Sequence, residues 1–306
     1  MKHLPLQNQS YQALLKEFSL HLKRLGYNKH SQQALPSSVR EFFYRLEQQG
    51  IHNLNKITPE LINRHYEYLT QRPNQTRPGN LSQSMLQQHV WALKTFFNYQ
   101  EIEGKVKENP FSVLHFPCAE HKKRAVLTRG EITKLYQVCV TLRDRAMLGL
   151  FYGCGLRKSE AEKLNLKDIS FKSQLLYVRS GKGKKRRVVP VTGQVIEDFK
   201  NYYYLERIHI RKKEDPDSQK SFMLNRWGER MHGQSYWRRL KYLVQKAGIN
   251  KSRQISPHSL RHSIATHLLE SGLSVEQVRD FLGHSHLEST QIYTRVSRKY
   301  LTGPNQ

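Results

Sequence analysis

Hydrophobic residues in the N-terminal part of the chain recur at intervals of three and four, with lysines and arginines between them. Glycines and proline-containing pairs interrupt this pattern at intervals that suit helix ends and helix starts. The pattern predicts four helices, which run from Tyr11 to Leu25, from a point after Ser37 or Ser38 to Gly50, from Thr58-Pro59 through Leu69, and from Leu81 to Tyr99. Four helices joined by short loops predict a small bundle.

The aromatic residues of these helices are expected to form the bundle core, because apolar stripes are generally buried. The polar faces carry basic residues that could touch phosphates or base edges: Arg64, His65, Arg72, Arg77 and Lys94. No residue of this part suggests catalysis.

The periodicity is lost over residues 109–125, which contain Asn109-Pro110, Pro117 and the basic run Lys122-Lys123-Arg124. This segment is interpreted as a basic linker. It divides the chain into a helical domain over residues 1–108 and a second domain over residues 126–306.

The second domain is predicted to be mostly helical with a small sheet. Thr128 and Glu131 form a capping box, and an apolar helix over Arg143–Tyr152 ends at a glycine-rich turn. Three short β-rich runs lie between Asp168 and Val191, which predicts a three-stranded antiparallel sheet. Arg211–Lys220 is polar and is interpreted as a loop, and Gln234–Ala247 as a basic amphipathic helix. The fold class is therefore mainly α, with two domains.

Composition points to a polyanionic partner. The chain has 51 Lys and Arg against 25 Asp and Glu, a formal net charge of +26, and this excess is spread along its length. No apolar run approaches the roughly 20 residues that a membrane span needs, and the N-terminus does not resemble a signal peptide, so a cytoplasmic protein without a membrane partner is expected. Three scattered cysteines predict neither a disulfide framework nor a zinc site.

The stretch His258–Tyr293 holds the most candidate chemistry. Ser256 and Pro257 suit a helix start, and on that helix His258 and Arg261, three apart, project from its first turns. Free backbone N–H groups and the helix dipole favour an anion there, so this is a candidate phosphate site. His262 and His267 of the same helix are interpreted as structural.

A second helix follows, opened by the capping pair Ser274 and Gln277 and ended by Gly283. His284 then falls in a turn, and a short third helix would carry Tyr293 as an exposed hydroxyl. No HExxH motif occurs and no carboxylate or cysteine is placed to complete a zinc site with the histidines.

Two further basic sites precede this stretch. Arg157 and Glu160 lie three apart after two glycines, which is also the spacing of an ordinary surface ion pair. Lys182 lies between two glycines in a predicted hairpin turn, where it could simply contact a phosphate, as could Lys184 or Lys185. The Gly-Lys-Gly sequence lacks the P-loop pattern, so a nucleotide-binding loop is rejected.

The ordered set H-x-x-R, L-G-H and a tyrosine nine residues further on resembles the tyrosine recombinase (phage integrase) family, and most closely its Xer-type members. The resemblance covers most of the chain. It implies a SAM-like core-binding domain for the four-helix bundle and a catalytic domain for the rest. It also implies catalytic roles without cofactor or metal for the following residues: Arg157, Lys182 as general acid, His258, Arg261, His284 and the nucleophile Tyr293, with Glu160 supporting the cations.

The implied activity is site-specific cleavage and rejoining of DNA through a 3′-phosphotyrosyl intermediate. The implied partners are double-stranded DNA with paired inverted half-sites, other copies of the chain in a tetramer, and a second recombinase or an accessory protein. A DNA-relaxing topoisomerase of type IB, a telomere-resolving enzyme and a catalytically silent DNA-binding regulator stay open as alternatives. Chromosome resolution and a mobile-element role are also both open, because both kinds of recombinase share these motifs.

Overall fold

The computed structural model describes residues 4–75, 77–117, 125–179, 186–250 and 255–283. The chain divides into two compact units, Met1–Lys122 and Lys123–Gln306. The predicted boundaries at 108 and 126, with a separate linker between them, stay a prediction. Within that segment Phe111 is buried in the core of the first unit. None of the helices in the described ranges is both long enough and apolar enough to cross a membrane.

The first unit contains four α-helices, as the periodicity predicted. They are α1 (Gln9–Arg24), α2 (Lys29–Gln48), α3 (Pro59–Gln71) and α4 (Gln83–Ile102). Their aromatic side chains form the core, in which Tyr11 stacks on Phe43 with ring centroids 4.1 Å apart and Phe18 meets Phe96 edge to face. The expectation that these rings are core is confirmed.

The start predicted for α2 is wrong. The helix begins at Lys29, where the Asn28 side chain accepts a hydrogen bond from the backbone N–H of Ser31 at 2.9 Å. Pro36 lies inside the helix, and the buried stripe continues on both sides of it through Leu35 and Val39. Proline usually marks a helix boundary, and here core packing on both sides of it outweighs that tendency.

The second unit is mostly helical. Its helices are α5 (Arg129–Gln137), α6 (Leu142–Leu148), α7 (Lys158–Lys163), α8 (Gly193–Asn201), α9 (Ile208–Ile210), α10 (Pro216–Lys220), α11 (Gly233–Lys246), α12 (Pro257–Glu270) and α13 (Val275–Leu282). A π-helical segment Gly149–Gly153 extends α6, and another, Tyr202–Arg207, joins α8 to α9. The capping boxes predicted at Thr128 and Ser274 are both present.

Three strands form the predicted antiparallel sheet, in the order β1 (Ile169–Ser170), β2 (Leu175–Val178) and β3 (Arg187–Pro190). In β3 the first and third residues are buried and the other two are half-buried, so Arg187 shares the inward face with Val189. The mainly helical fold with a small three-stranded sheet is confirmed.

Two helical stretches were not predicted. No element was predicted for residues 193–210. The buried face of α8 continues there to Arg207, which is fully buried. The Arg207 guanidinium donates to the carbonyls of Ser218 and Ser221 at 2.6 and 2.7 Å. The segment Pro216–Lys220, interpreted as a loop, is α10, and the Asp215 side chain caps its start.

Gly155 brings α12 and α13 close to the turn that precedes α7. Its φ is +58°, and a Cβ placed there would lie 2.8 Å from Leu282 Cδ2, 3.2 Å from Phe281 Cε1 and 3.6 Å from Ile264 Cγ2. The turn therefore needs glycine for its backbone conformation and also for the space it leaves.

A polar cluster is buried in the first unit. The Glu41 carboxylate accepts from Arg72 Nη2 at 3.2 Å and has Arg72 Nε at 2.6 Å, and His89 Nε2 lies 3.8 Å from it. His65 is 2% exposed and stands beside His89, with neither ring nitrogen hydrogen-bonded. His65 and Arg72 are thus structural and not the DNA contacts predicted for them, whereas Arg64, Arg77 and Lys94 are exposed.

The buried histidines make the first unit sensitive to acid. Burial, then the charge of Arg72, lowers the pKa of His89 to about 4, and burial, then His89, lowers the pKa of His65 well below its ordinary value. Both rings take up a proton more readily in the unfolded chain, so stability is lost as pH falls from the unfolded value of ~6.5 towards these lowered values. Lowering the pH from ~7 to ~5.5 should cost roughly 1–2 kcal/mol for each histidine. Urea titrations read by hydrogen exchange in α3 and α4 measure this loss.

The variant His89→Gln should be less sensitive over the same pH interval, because it removes one titrating ring, while His52→Asn at an exposed position should match the wild type. Burial raises the pKa of Glu41 more than Arg72 lowers it. Protonation of the Glu41 carboxyl therefore raises stability as the pH falls, which opposes the effect of the histidines. This contribution arises nearer the ordinary pKa range of a glutamate. An acid response in His89→Gln equal to that of the wild type would contradict the assignment.

Replacing Gly155 tests the second unit. Gly155→Ala should lower the free energy of unfolding by roughly 2–5 kcal/mol, since it adds left-handed backbone strain to an overlap with α13. Gly248→Ala is the matched control, because Gly248 has φ of +67° but no heavy atom lies within 4 Å of the position that a Cβ would take there. That control should lose only ~1–2 kcal/mol. Equal losses in chemical denaturation would show that packing against α13 contributes nothing.

Candidate active site

Glu160 lies at the centre of a group of arginines near the start of α7. Its carboxylate accepts from the Arg157 backbone N–H at 2.8 Å and from Arg157 Nη1 at 2.8 Å. The Glu160 side chain is 1% exposed and that of Arg157 is 16% exposed. The two residues interact at the predicted spacing of three, but the carboxylate of the pair is buried, so it is not an ordinary surface pair.

Arg187, the first residue of β3, is a member of this group that the sequence analysis did not identify. Its Nη1 and Nη2 donate to the two Glu160 oxygens, each at 2.8 Å, and the residue is 6% exposed. A charged residue at an inward position of a strand requires a partner. That alternation with Val189 is the signal that could have identified Arg187.

Arg261 reaches the same group from α12. It is 7% exposed, its Nη1 lies 3.9 Å from Glu160 Oε2 and also donates to the Gly155 carbonyl, and its Nη2 donates to the Leu282 carbonyl at 2.6 Å. Arg261 therefore links α12 to the turn before α7 and to the end of α13. The neighbouring residues Arg157 and Glu160 thus lie together with Arg261, which is far from them in the sequence.

The charges of this cluster are strongly coupled. Burial raises the pKa of Glu160, but hydrogen bonds and charge from Arg187, and then from Arg157, outweigh it and lower the pKa to about 2. Burial, followed by repulsion from Arg157 and Arg187, lowers the pKa of Arg261 to about 9. Glu160 is thus ionised and Arg261 charged at neutral pH, and the carboxylate offsets only part of the positive charge.

Helix α12 is fixed along its length by contacts with the first residues of the second unit. The Ser263 hydroxyl accepts from the Leu127 backbone N–H at 2.8 Å, and Arg129 Nη2 donates to the His267 carbonyl at 3.1 Å. His267 is 3% exposed, and its Nδ1 lies 2.9 Å from the Tyr152 hydroxyl. The structural interpretation of His267 is confirmed, whereas that of the half-buried His262 stays a prediction.

Of the remaining candidate residues, only some lie within the described ranges. His258 is exposed in the first turn of α12, next to the N-terminal end of that helix. Lys182, His284 and Tyr293 lie outside the described residues. Gly283, directly before His284, ends α13 with φ of +73°, as the helix stop predicted.

The cluster suits an anion with several oxygens. Guanidinium groups are planar, permanently charged donors that match phosphate oxygens, and a partly water-excluded setting strengthens their effect. Among the side chains in the described ranges, no group of three or more His, Cys, Asp or Glu residues is arranged to hold a metal ion.

Comparison with known protein families agrees with this geometry. Residues 125–299, more than half of the chain, match the model of the phage integrase family, and residues 10–121 match that of the phage integrase SAM-like domain. The tyrosine recombinase XerC of Thermodesulfovibrio yellowstonii is 33% identical over 302 residues, which cover 95% of this chain and 94% of that protein. The tyrosine recombinase XerA of Pyrococcus furiosus is 37% identical over 216 residues, 69% of this chain and 70% of that protein.

Solved structures share the fold. The Tn1549 transposon integrase, in complex with circular intermediate DNA, matches with a TM-score of 0.64 at 20% identity over 93% of this chain and 98% of that one. A lambda integrase dimer bound to a COC′ core site matches with a TM-score of 0.66 at 16% identity over 90% and 95% of the two chains. The family matches and the XerC and XerA relatives establish that the chain belongs to the phage integrase family and is a tyrosine-type site-specific DNA recombinase.

Proposed function

We propose that this recombinase cuts and rejoins double-stranded DNA at paired inverted half-sites, using Arg157, His258, Arg261 and His284 around the reacting phosphate and Tyr293 as nucleophile. The observation that carries the proposal is the group of three guanidiniums around the buried Glu160 carboxylate, which come from the residue before α7, from β3 and from α12. Such a group can stabilise the charge that develops on a phosphate during displacement, without a metal.

Arg157 is the arginine of the cluster best placed to meet DNA directly. Its side chain is 16% exposed, compared with 5% for Arg187 and 8% for Arg261. One of its terminal nitrogens is bound to Glu160, and this bond fixes the direction of the planar group. Arg261, which donates to the carbonyls of Gly155 and Leu282, would act on the phosphate from the buried side of the turn before α7.

The reaction follows from these roles. The Tyr293 hydroxyl releases its proton to solvent as its oxygen attacks phosphorus and forms a 3′-phosphotyrosyl bond. The bond to the DNA 5′-oxygen breaks, and that oxygen receives a proton from Lys182. A 5′-hydroxyl of a second strand then attacks the phosphotyrosine and releases Tyr293. Each step exchanges one phosphodiester for another, so no nucleotide cofactor is required.

The DNA substrate is supported by charge as well as by chemistry. The formal net charge of +26 favours a polyanion through counterion release. The similar Tn1549 and lambda integrases were solved on DNA, and the XerH recombinase on a palindromic difH substrate. We propose the cytoplasm as its location and a tetramer on two DNA sites as its active assembly, in which a second recombinase or an accessory protein could take part.

Tyr293→Phe tests the nucleophile. The variant should retain DNA affinity within about threefold, since a ground-state contact contributes little, and should form no covalent adduct. The substrate is a duplex that is selected from a random-sequence library because it binds the protein. A series of such duplexes carries a nick at successive central positions, so that the strand needed for rejoining is lost after cleavage and the adduct is trapped. Denaturing electrophoresis reveals that adduct.

Three outcomes separate the alternatives. An adduct that persists in Tyr293→Phe would place the nucleophile elsewhere, with Tyr300 the next candidate. No adduct with the wild type would favour the DNA-binding regulator. Cleavage that only relaxes supercoiled plasmid, without exchange between two duplexes, would favour the topoisomerase.

Assembly is tested by shortening the chain after Ser297. Residues 294–306 carry the apolar side chains Val296, Tyr300 and Leu301, which would be exposed unless they dock on a surface. Truncation should leave binding to one half-site intact, and should reduce both the cooperativity on paired half-sites and recombination. Gel-shift titration gives the cooperativity, and an unchanged value would rule out this segment as the connector.

A further inference from the structure

We propose that Arg187 is a positioning residue for the recombination reaction, which fixes both Glu160, the partner of Arg157, and the turn at Gly283. This inference rests on the proposed function. It concerns a residue that the family motifs quoted above do not include, and it follows from the contacts of β3.

The first contact is the pair with Glu160. Arg187 donates to both carboxylate oxygens at 2.8 Å, whereas the Arg157 side chain donates to only one of them. A bidentate pair fixes the plane of the carboxylate as well as its position. The direction of the Arg157 guanidinium therefore depends on Arg187, although Arg187 itself is turned away from solvent.

The second contact is with the end of α13. A Cβ at Gly283 would lie 2.5 Å from Arg187 Cδ and 3.1 Å from its Nη1, so the Arg187 stem occupies the space beside this glycine. The preceding carbonyl, that of Leu282, accepts from Arg261 at 2.6 Å. Two arginines of the cluster thus support the residues directly before His284 in the sequence.

The third observation concerns charge. Burial raises the pKa of Glu160, and the hydrogen bonds and charge of Arg187 are the largest of the effects that lower it. Arg187 also adds to the repulsion that lowers the pKa of Arg261. Arg187 shares the Glu160 carboxylate with Arg157, so its charge acts on the same group that holds Arg157. A purely structural ion pair is the competing explanation, so the test must separate rate from stability.

Arg187→Lys keeps the charge but cannot form the bidentate pair. In single-turnover cleavage of the selected nicked duplex at saturating protein, this variant should be slower than wild type by about 10–100-fold, because small misplacement of a reacting group has effects of that size. Its DNA affinity should stay within about threefold of the wild-type value.

Arg239→Lys is the matched control, because Arg239 makes the equivalent bidentate pair with the buried Asp144 and does not contact Glu160. Arg239→Lys should lose thermal stability but keep the wild-type cleavage rate.

A second pair of variants reaches the same contact from the other side. Gly283→Ala should overlap the Arg187 stem and slow cleavage, whereas Gly248→Ala carries similar backbone strain without a neighbour and should not. This pair decides the question if Arg187→Lys does not fold. Cleavage by Arg187→Lys, or by Gly283→Ala, at the rate of its control would overturn the proposal.

A readout without DNA separates this proposal from the proposed function. In the wild type the ¹⁵N signal of Arg157 should report a guanidinium whose rotation is restricted. In Arg187→Lys the Arg157 guanidinium should rotate more freely, while the signal of Arg145, which is paired with Asp198, stays unchanged. If the wild-type protein forms no adduct, the proposed function fails and the Arg157 signal still decides on Arg187. An Arg157 signal that is the same in both proteins would refute the positioning role.

Discussion

The ionised carboxylate of Glu160, buried among guanidinium groups, is the interaction on which the second unit depends. A buried carboxylate without partners would be neutralised or would destabilise the fold, and buried arginines have the same requirement. Arg157 and Arg187 meet this requirement jointly with Glu160, and Arg261 lies 3.9 Å from it. Because one carboxylate offsets only part of their charge, a positive site remains beside the exposed part of Arg157. The same interaction thus stabilises the fold and prepares it for a phosphate.

This cluster also connects elements that are distant in the sequence. It joins the start of α7, the first residue of β3 and the second turn of α12, and through the Leu282 carbonyl it reaches the end of α13. Glycine is required at Gly155 and Gly283 because helices and arginine stems fill the space a side chain would need. At both glycines the backbone approaches the crowded group of cations. The hydrogen bonds of Leu127 and Arg129 to α12 extend the network to the first residues of this unit.

Sequence patterns predicted the features that depend on near neighbours. The capping boxes, the four helices of the first unit and the pairing of Arg157 with Glu160 all involve residues a few positions apart. Arg187 was missed because its role requires strand register and a partner on another element. His65 and Arg72 were misread as DNA contacts because the basic character of a residue does not reveal a buried carboxylate such as Glu41. In α2, Pro36 masked a helix that core packing maintains, and in residues 193–210 a buried arginine interrupted the apolar stripe.

Titration of the Glu160 carboxyl in the folded protein, followed by ¹³C NMR and assigned by comparison with Glu160→Gln, tests most directly whether an ionised carboxylate holds the arginine cluster together. The signal is expected to stay that of an ionised carboxylate down to the lowest pH at which the protein remains folded, in line with a pKa lowered to about 2. A midpoint near the ordinary glutamate value of ~4.3 would contradict it, because the guanidiniums would then not be held by this charge.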